Sequence, residues 1–222
     1  MAILLHNLYA RTPQLNDAAA VADLLVACAM AEDTMSNYSE GYMLADWQRP
    51  GFALENDAWM IAAKNAQVVG YADVWLHEGA HIAMRVRVHP EYRRRGIGTL
   101  LLRLAEDQAR RLVKRACPTE PVALYSVISV ANSAGKRLLE QEGFALTRRC
   151  WRISLDIDEP SAVSADTESF TLEFQTNADA LPVLAASIPR TGLYYACCYD
   201  VYEKELSQSA ALRAAEPVFS AA

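Results

Sequence analysis

Met84-Arg-Val-Arg-Val-His-Pro-Glu-Tyr-Arg-Arg-Arg-Gly-Ile-Gly-Thr-Leu-Leu-Leu102 decides how the rest of the chain is read. Met84, Val86 and Val88 alternate with Arg85 and Arg87, which is the period of a strand. Pro90 cannot donate to a strand ladder and ends it. Arg93 to Gly98 is a basic turn holding two glycines, and Leu100, Leu101, Leu104 and Leu112 then recur at helical spacing to about Arg115. Strand, basic glycine turn and helix together make a seat for a phosphate group. The first N–H groups of a helix lack internal partners, and the helix dipole adds partial positive charge there. Gly96 and Gly98 carry no Cβ, so the main chain of Gly96, Ile97, Gly98 and Thr99 can approach a diphosphate closely. Arg93, Arg94 and Arg95 add charge-assisted donors. Three arginines at a helix N-terminus, where the dipole disfavours cations, call for an anion.

The turn is neither of the two commonest nucleotide loops: it lacks the Lys-Ser/Thr of a Walker A loop and the GxGxxG spacing of a dinucleotide fold. What stands there is Arg-x-x-Gly-x-Gly directly after Val-x-Pro-Glu-Tyr. The run Val88-His-Pro-Glu-Tyr-Arg-Arg-Arg-Gly-Ile-Gly98 resembles the acetyl-CoA-binding motif of the GNAT superfamily of N-acetyltransferases. A second signature agrees in spacing. Asn132-x-x-Gly135-x-x-x-Leu139-x-x-x-Gly143-Phe144 is similar to the family's Asn-x-x-Ala-x-x-x-Tyr-x-x-x-Gly-Phe pattern, with Gly135 for the usual Ala and Leu139 for the usual Tyr. Gly in a helix costs roughly 1 kcal/mol of propensity and is otherwise expected to be harmless there. In the family that Tyr often protonates the leaving thiolate; Leu139 cannot.

The order of elements fits the resemblance. Leu4 to Arg11 reads as a strand, Ala18 to about Ala31 as a helix opened by Asp17, and Glu40 to Trp47 as a second helix. Asp57 to Ala63 and Gln67 to Leu76 read as strands, followed by the Met84 strand and the motif helix. Val122 to Ser129 is a strand, Asn132 caps a helix to Glu142, Phe144 starts a strand, and Trp151 to Ile157 is the last strand of this unit. The fold class expected is α/β, a GNAT fold with a mixed central sheet flanked by helices, over residues 1–157. Residues 158–222 are expected to be an acidic, mostly helical extension: a linker from Pro160 to Ser169, a short strand Phe170–Phe174, a short helix from Asn177 to Ser187, and a helix Leu193 to Ala214 with Tyr194, Cys198, Tyr202 and Leu206 at i+4 steps. It reads as a packing or dimerisation appendage, giving a homodimer, or as a truncated second copy of the unit, as in tandem relatives resembling mycothiol synthase.

The resemblance implies where the co-substrate lies. In the family a bulge in the fourth strand parts it from the fifth, and pantetheine amides pair with the exposed backbone. That places acetyl-CoA on the backbone of Val86 and Val88 beside Arg87, on the turn Arg93, Arg94, Arg95, Gly96, Ile97, Gly98 and Thr99, and against Asn132. The chemistry implied is attack of a neutral amine on the thioester, which needs a base and a donor for the developing oxyanion. The Val86 N–H suits the second role. His81, early in the fourth strand with an ordinary pKa of about 6.5, is the candidate base. Glu32 and Asp33 are placed at an amine entrance, and Tyr38, Tyr42, Trp75 and Tyr125 as walls of an acceptor site.

Composition sets outer bounds. A hydrophobic content of 52% is enough for a core, and a formal net charge of −6 argues against nucleic acid as the main partner. No apolar run spans a bilayer, the N-terminus does not read as a signal peptide, and the five scattered cysteines suit reduced thiols in cytoplasm. His77-Glu-Gly-Ala-His81 matches His-Glu-x-x-His, but zinc chemistry needs that motif on a helix, and here it lies between two runs of strand periodicity; no metal is expected. The function expected is acetyl transfer from acetyl-CoA to a small-molecule or peptide amine. A catalytically silent acyl-CoA-binding module is the alternative that Leu139 keeps open.

Overall fold

The computed structural model describes residues 7–34, 36–77, 81–116, 122–156, 169–175 and 194–206. One eight-stranded sheet runs through these residues in the order β1-β2-β3-β4-β5-β8-β6-β7. Its strands are β1 (Leu8–Arg11), β2 (Ala58–Ala63), β3 (Val68–His77), β4 (His81–Val88), β5 (Ala123–Ser129), β6 (Ala145–Asp156), β7 (Ser169–Gln175) and β8 (Tyr194–Glu205). All neighbours are antiparallel except β4 and β5. The helices are α1 (Ala18–Ala31), α2 (Glu40–Trp47), the single turn α3 (Leu54–Asp57), α4 (Ile97–Ala116) and α5 (Ser133–Gln141). No described helix is long and apolar enough to cross a membrane.

The two faces of the sheet are covered by different helices. On one, α1 and α2 bury Val21, Leu24, Leu25, Met43 and Trp47 against Met60 and Tyr71. On the other, α4 sets Leu102, Ala105 and Ala109 against Val74, Ile82, Met84 and Leu124, with Leu139 of α5 in the same cluster. Leu101, fully buried with Ile97 and Val69, continues this layer toward the start of α4. A leucine removed from water in this way contributes about 2 kcal/mol. α2 and α5 start with side-chain caps: Ser39 accepts from Tyr42 N at 3.1 Å, and Asn132 accepts from Gly135 N at 2.8 Å; Asp17, which opens α1, instead has its carboxylate on Arg11.

Order and type of the elements from β1 to β6 follow the sequence expectation except at α3, a helical turn outside that expectation, which takes in Asp57, expected as the start of a strand; residues 1–6 lie outside the described part, and β6 is one strand rather than two. The C-terminal reading needs correction. The linker before Ser169, the helix from Asn177 and residues 207–222 lie outside the described residues, and the short strand is found as β7. Tyr194–Glu205, expected as a helix, is a strand inserted between β5 and β6. The i+4 steps of Tyr194, Cys198, Tyr202 and Leu206 fit a helix, but four is also a multiple of the strand period of two, and Tyr, Cys and Val favour a sheet interior. β8 is flanked on both sides, so Cys197, Asp200, Val201 and Tyr202 are all buried and no alternation shows. These residues complete the sheet of residues 1–157 and are not an appendage to it. Their side chains tie the layers together: Asp200 takes Lys136 of α5 at 2.9 Å and Arg149 of β6 at 2.7 Å, and Lys204 reaches Glu106 of α4.

Candidate functional site

β4 and β5 run side by side for only part of their length. Pairing extends from His81↔Ala123 to Met84↔Ser126 and then stops, so Arg85 to Val88 face a gap. No bulge in β4 opens it: the β3–β4 register is unbroken from His77↔His81 to Gly70↔Val88, and the parting follows from the end of the β4–β5 ladder. His89 N donates to Val69 O at 2.9 Å, which fixes the alternation of the antiparallel ladder. Odd positions of β4 bond to β3, while Val86 and Val88 turn their N–H and C=O into the gap. Arg87 crosses it, with one guanidinium nitrogen 3.0 Å from Val86 O and another 3.4 Å from Val127 O.

Two cavities meet at this gap. The first, of about 190 Å³, lies between β4, the start of α4 and α5. It brings together Val86, Arg87, Val88, Arg93, Arg94, Gly96, Gly98, Thr99 and Asn132 from the expected co-substrate residues. Gly96 has φ 81°, a backbone state costly for any other residue. The helix ladder begins with Leu100 N to Gly96 O at 3.0 Å, so the N–H groups of Ile97, Gly98 and Thr99 precede it and stay available to an anion. Arg95 and Ile97 lie outside the cavity wall. Arg95 donates to Glu91 O and stacks over the Tyr92 ring at 4.7 Å, and the Ile97 side chain is buried against the sheet. Arg93 pairs with Glu32 at 2.9 Å, so an acidic residue, and not only an anionic ligand, accounts for one of the three arginines. Gly135 has a packing reason that the helix signature alone did not give: a Cβ there would fall 2.3 Å from Ile128 Cδ1.

The second cavity, of about 600 Å³, opens on the face covered by α1 and α2. Tyr38, Tyr42, Trp75 and Tyr125, expected as acceptor walls, all line it, joined by Tyr199 from β8. At its base sits a charged cluster that sequence reasoning missed. Asp73, fully buried on β3, accepts from Tyr71 Oη at 2.9 Å and from Arg85 Nε at 3.1 Å; Arg85 Nη2 also contacts Asp73 and reaches Asp46 of α2 at 2.7 Å. Arg49 pairs with Asp46 at 3.1 Å and lies 4.4 Å from the Trp75 ring centre. Trp47 Nε1 donates to Tyr71 Oη at 2.8 Å and closes the chain of contacts. Burial works against the Arg85 charge, but Asp73 outweighs it and holds the guanidinium well above its ordinary value. Burial, followed by the Asp46 carboxylate, raises the Tyr42 phenol.

Among the described residues two line both cavities, Glu32 and Arg87. Glu32 ends α1, and its side chain is 5% exposed. A single oxygen, Oε1, takes both Arg93 at 2.9 Å and Asn132 Nδ2 at 2.6 Å. Asn132 therefore caps α5 with its oxygen and holds Glu32 with its nitrogen. Among the described residues no group donates to Glu32 Oε2.

His81 is placed elsewhere. It is exposed at the start of β4, lines neither cavity, and has its ring edge-on to Tyr125 at 6.4 Å. It lies six positions along the strand from Arg87, about 20 Å. His77 and His81 are directly opposed across the β3–β4 hairpin, so the His-Glu-x-x-His run does not form the helix that zinc ligation requires.

A central sheet with one parallel pair that parts halfway, and a helix N-terminus aimed at the parting, define the class of protein: an acyltransferase of GNAT architecture. The sequence profile of the Acetyltransferase (GNAT) family matches residues 18–144, more than half of the chain, and the protein belongs to that family. Solved structures agree in fold. A GCN5-related N-acetyltransferase from Sphaerobacter thermophilus is 18% identical with a TM-score of 0.68, over 91% of this chain and 96% of that one. A putative acetyltransferase from Salmonella typhimurium, solved with its cofactor acetyl-CoA, is 17% identical with a TM-score of 0.55, over 93% and 98%. A phosphinothricin acetyltransferase from Sinorhizobium meliloti in complex with acetyl-CoA is 14% identical with a TM-score of 0.53, over 90% and 88%. No curated protein sequence matches the chain.

Proposed function

We propose that the protein transfers an acetyl group from acetyl-CoA to a primary amine, with both substrates bound at once on either side of the β4–β5 gap. The observation that carries this reading is the meeting of the two cavities at Glu32 and Arg87, a carboxylate and a cation, where a thioester from one side and an amine from the other would come together. The residues of the smaller cavity fit acetyl-CoA. Backbone groups of Val86 and Val88 face the gap for the pantetheine amides, and the amides from Ile97 to Thr99 with Arg94 suit a diphosphate.

Acetyl-CoA supplies the acetyl thioester, whose C–S bond breaks as the C–N bond forms. Glu32 Oε2 takes the proton of the incoming ammonium and passes it to solvent, while Arg93 and Asn132 hold Oε1 and fix the side chain; the second N–H proton, released as the amide forms, goes to the departed thiolate. The Val86 N–H and the Arg87 guanidinium are the donors at the gap that would serve the carbonyl oxygen as it gains charge. Leu139 is buried and offers no proton, but a thiol with a pKa near 8.5 leaves as its anion without help. The test is calorimetric titration with acetyl-CoA followed by thiol release with a panel of amines. Binding with turnover supports the enzyme; binding without turnover on any acceptor returns the silent module; absence of binding overturns both.

A further inference from the structure

The polar groups of the larger cavity are mostly spent on one another. Asp46 is bridged by Arg49 and Arg85, and Asp73 by Tyr71, Arg85 and Arg49, so two carboxylates and two guanidiniums balance and the cluster offers hydrogen bonds rather than net charge. Besides these pairs, among the described residues Arg49 Nε is buried without a partner and Arg87 donates only to backbone carbonyls; two further groups keep an unused atom. Glu32 keeps Oε2 open at the end where the cavities meet. Arg85, whose side chain is 9% exposed, uses Nε and Nη2 on Asp73 and Asp46, and among the described residues nothing accepts from its Nη1. A buried guanidinium with one unused nitrogen can still donate to an oxyanion. The cavity thus offers a carboxylate oxygen at one end, a guanidinium edge at the other, and the rings of Tyr38, Tyr42, Trp75 and Tyr125 between them.

The spacing suits one small molecule. Arg87 shares the junction with Glu32, and Arg85 stands two positions before it on the same face of β4, so its backbone lies about 7 Å from that of the junction residue Arg87. An amine and a carboxylate on neighbouring carbons bridge such a distance when each end makes one hydrogen bond of about 2.8 Å. A volume of about 600 Å³ falls in the range of small-molecule sites. A polyamine would need a second free carboxylate, and a peptide N-terminus would leave the Arg85 edge unmatched.

Resting on the acetyltransferase reading above, we propose that the acceptor is a small amino carboxylate with an apolar or aromatic side chain, its amine at Glu32 and its carboxylate on Arg85. The experiment compares L-phenylalanine, L-tryptophan, L-methionine and L-leucine with their carboxamides, with phenethylamine and spermidine, and with a Phe-Gly-Gly peptide. Thiol release from acetyl-CoA reads turnover, and the shift in melting temperature without acetyl-CoA reads the subsite alone. The expected result is kcat/KM at least about tenfold higher for the best carboxylate than for its amide, with thermal stabilisation in the same order. Arg85→Lys should raise KM for the carboxylate and leave acetyl-CoA affinity unchanged; should that variant fail to fold, the matched amide comparison decides alone. Equal or better use of the amides, the peptide or spermidine overturns the proposal, as does acetyl-CoA binding with no amino carboxylate bound or acetylated. Stabilisation by the carboxylates without any acetyl-CoA binding would uphold the subsite and overturn the acetyltransferase reading instead.

Discussion

The cavity on the α4 side and the cavity under α1 and α2 share an edge but are built by different means. The first is made mostly from two short stretches, residues 86–99 and 132–139, and much of its chemistry is backbone: amides of a helix start, a glycine at positive φ, and strand edges left unpaired. The second takes side chains from α1, α2, β3, β4, β5 and β8, with lining residues that run from Leu25 to Tyr199. A diphosphate can be gripped by the main chain of one turn, whatever the rest of the fold does. An acceptor is recognised by side chains whose positions depend on how every layer packs.

Breaking the junction should separate the two most sharply. Glu32→Gln keeps an oxygen for Arg93 and Asn132 but removes the proton acceptor. Its kcat should fall by about 10²–10³-fold while acetyl-CoA affinity holds within a few-fold, read by steady-state kinetics and calorimetry. Gly96→Asp strikes one side only. A side chain at positive φ costs about 1–2 kcal/mol, and a negative charge opposes the diphosphate, so acetyl-CoA binding should weaken by about 100-fold while the melting temperature falls by about 2–8 °C. Tyr71→Phe strikes the other side. It strands the buried Trp47 N–H and one acceptor site of Asp73, and should cost about 1–3 kcal/mol in urea unfolding with acetyl-CoA affinity unaltered.

The smallest effect is expected at the start of α1, far from the junction. Hydrogen bonds from Arg11 hold the Asp17 carboxyl below the ordinary aspartate value. A carboxyl depressed in the folded state contributes stability that is present above its unfolded value, about 4, and is lost as pH falls through the folded value. Asp17→Asn should therefore be less stable than the parent at neutral pH by under about 1 kcal/mol, and the difference should close below about pH 4. Urea midpoints across this range check it, and a shift in either binding site would contradict the separation.

The sequence made the α4 side legible because local rules act there. Alternation from Met84 to Val88, Pro90, the glycines and the leucine period each constrain the chain within a few residues. What it misplaced were questions of distance. His81 has suitable chemistry, but strand geometry carries it about 20 Å from the junction. Arg85 reads only as polar alternation in its strand, and its tie to Asp73 emerges when the β3–β4 register sets the two opposite each other. Tyr199 was out of reach once an i+4 pattern common to helix and strand had been read as a helix. Glu32 was noticed only as an entrance charge, because nothing near α1 in sequence announces Asn132 or Arg93.

By itself the chain determined its family, its element order up to β6 and the anion seat at the start of α4, since periodicity, capping and glycine conformation are properties of neighbouring residues. Tertiary structure alone decided the insertion of β8 between β5 and β6, the extent of the gap and the charges facing each other across the acceptor cavity. Those depend on which strand pairs with which and on buried charges finding partners a hundred residues away, and no local pattern encodes either.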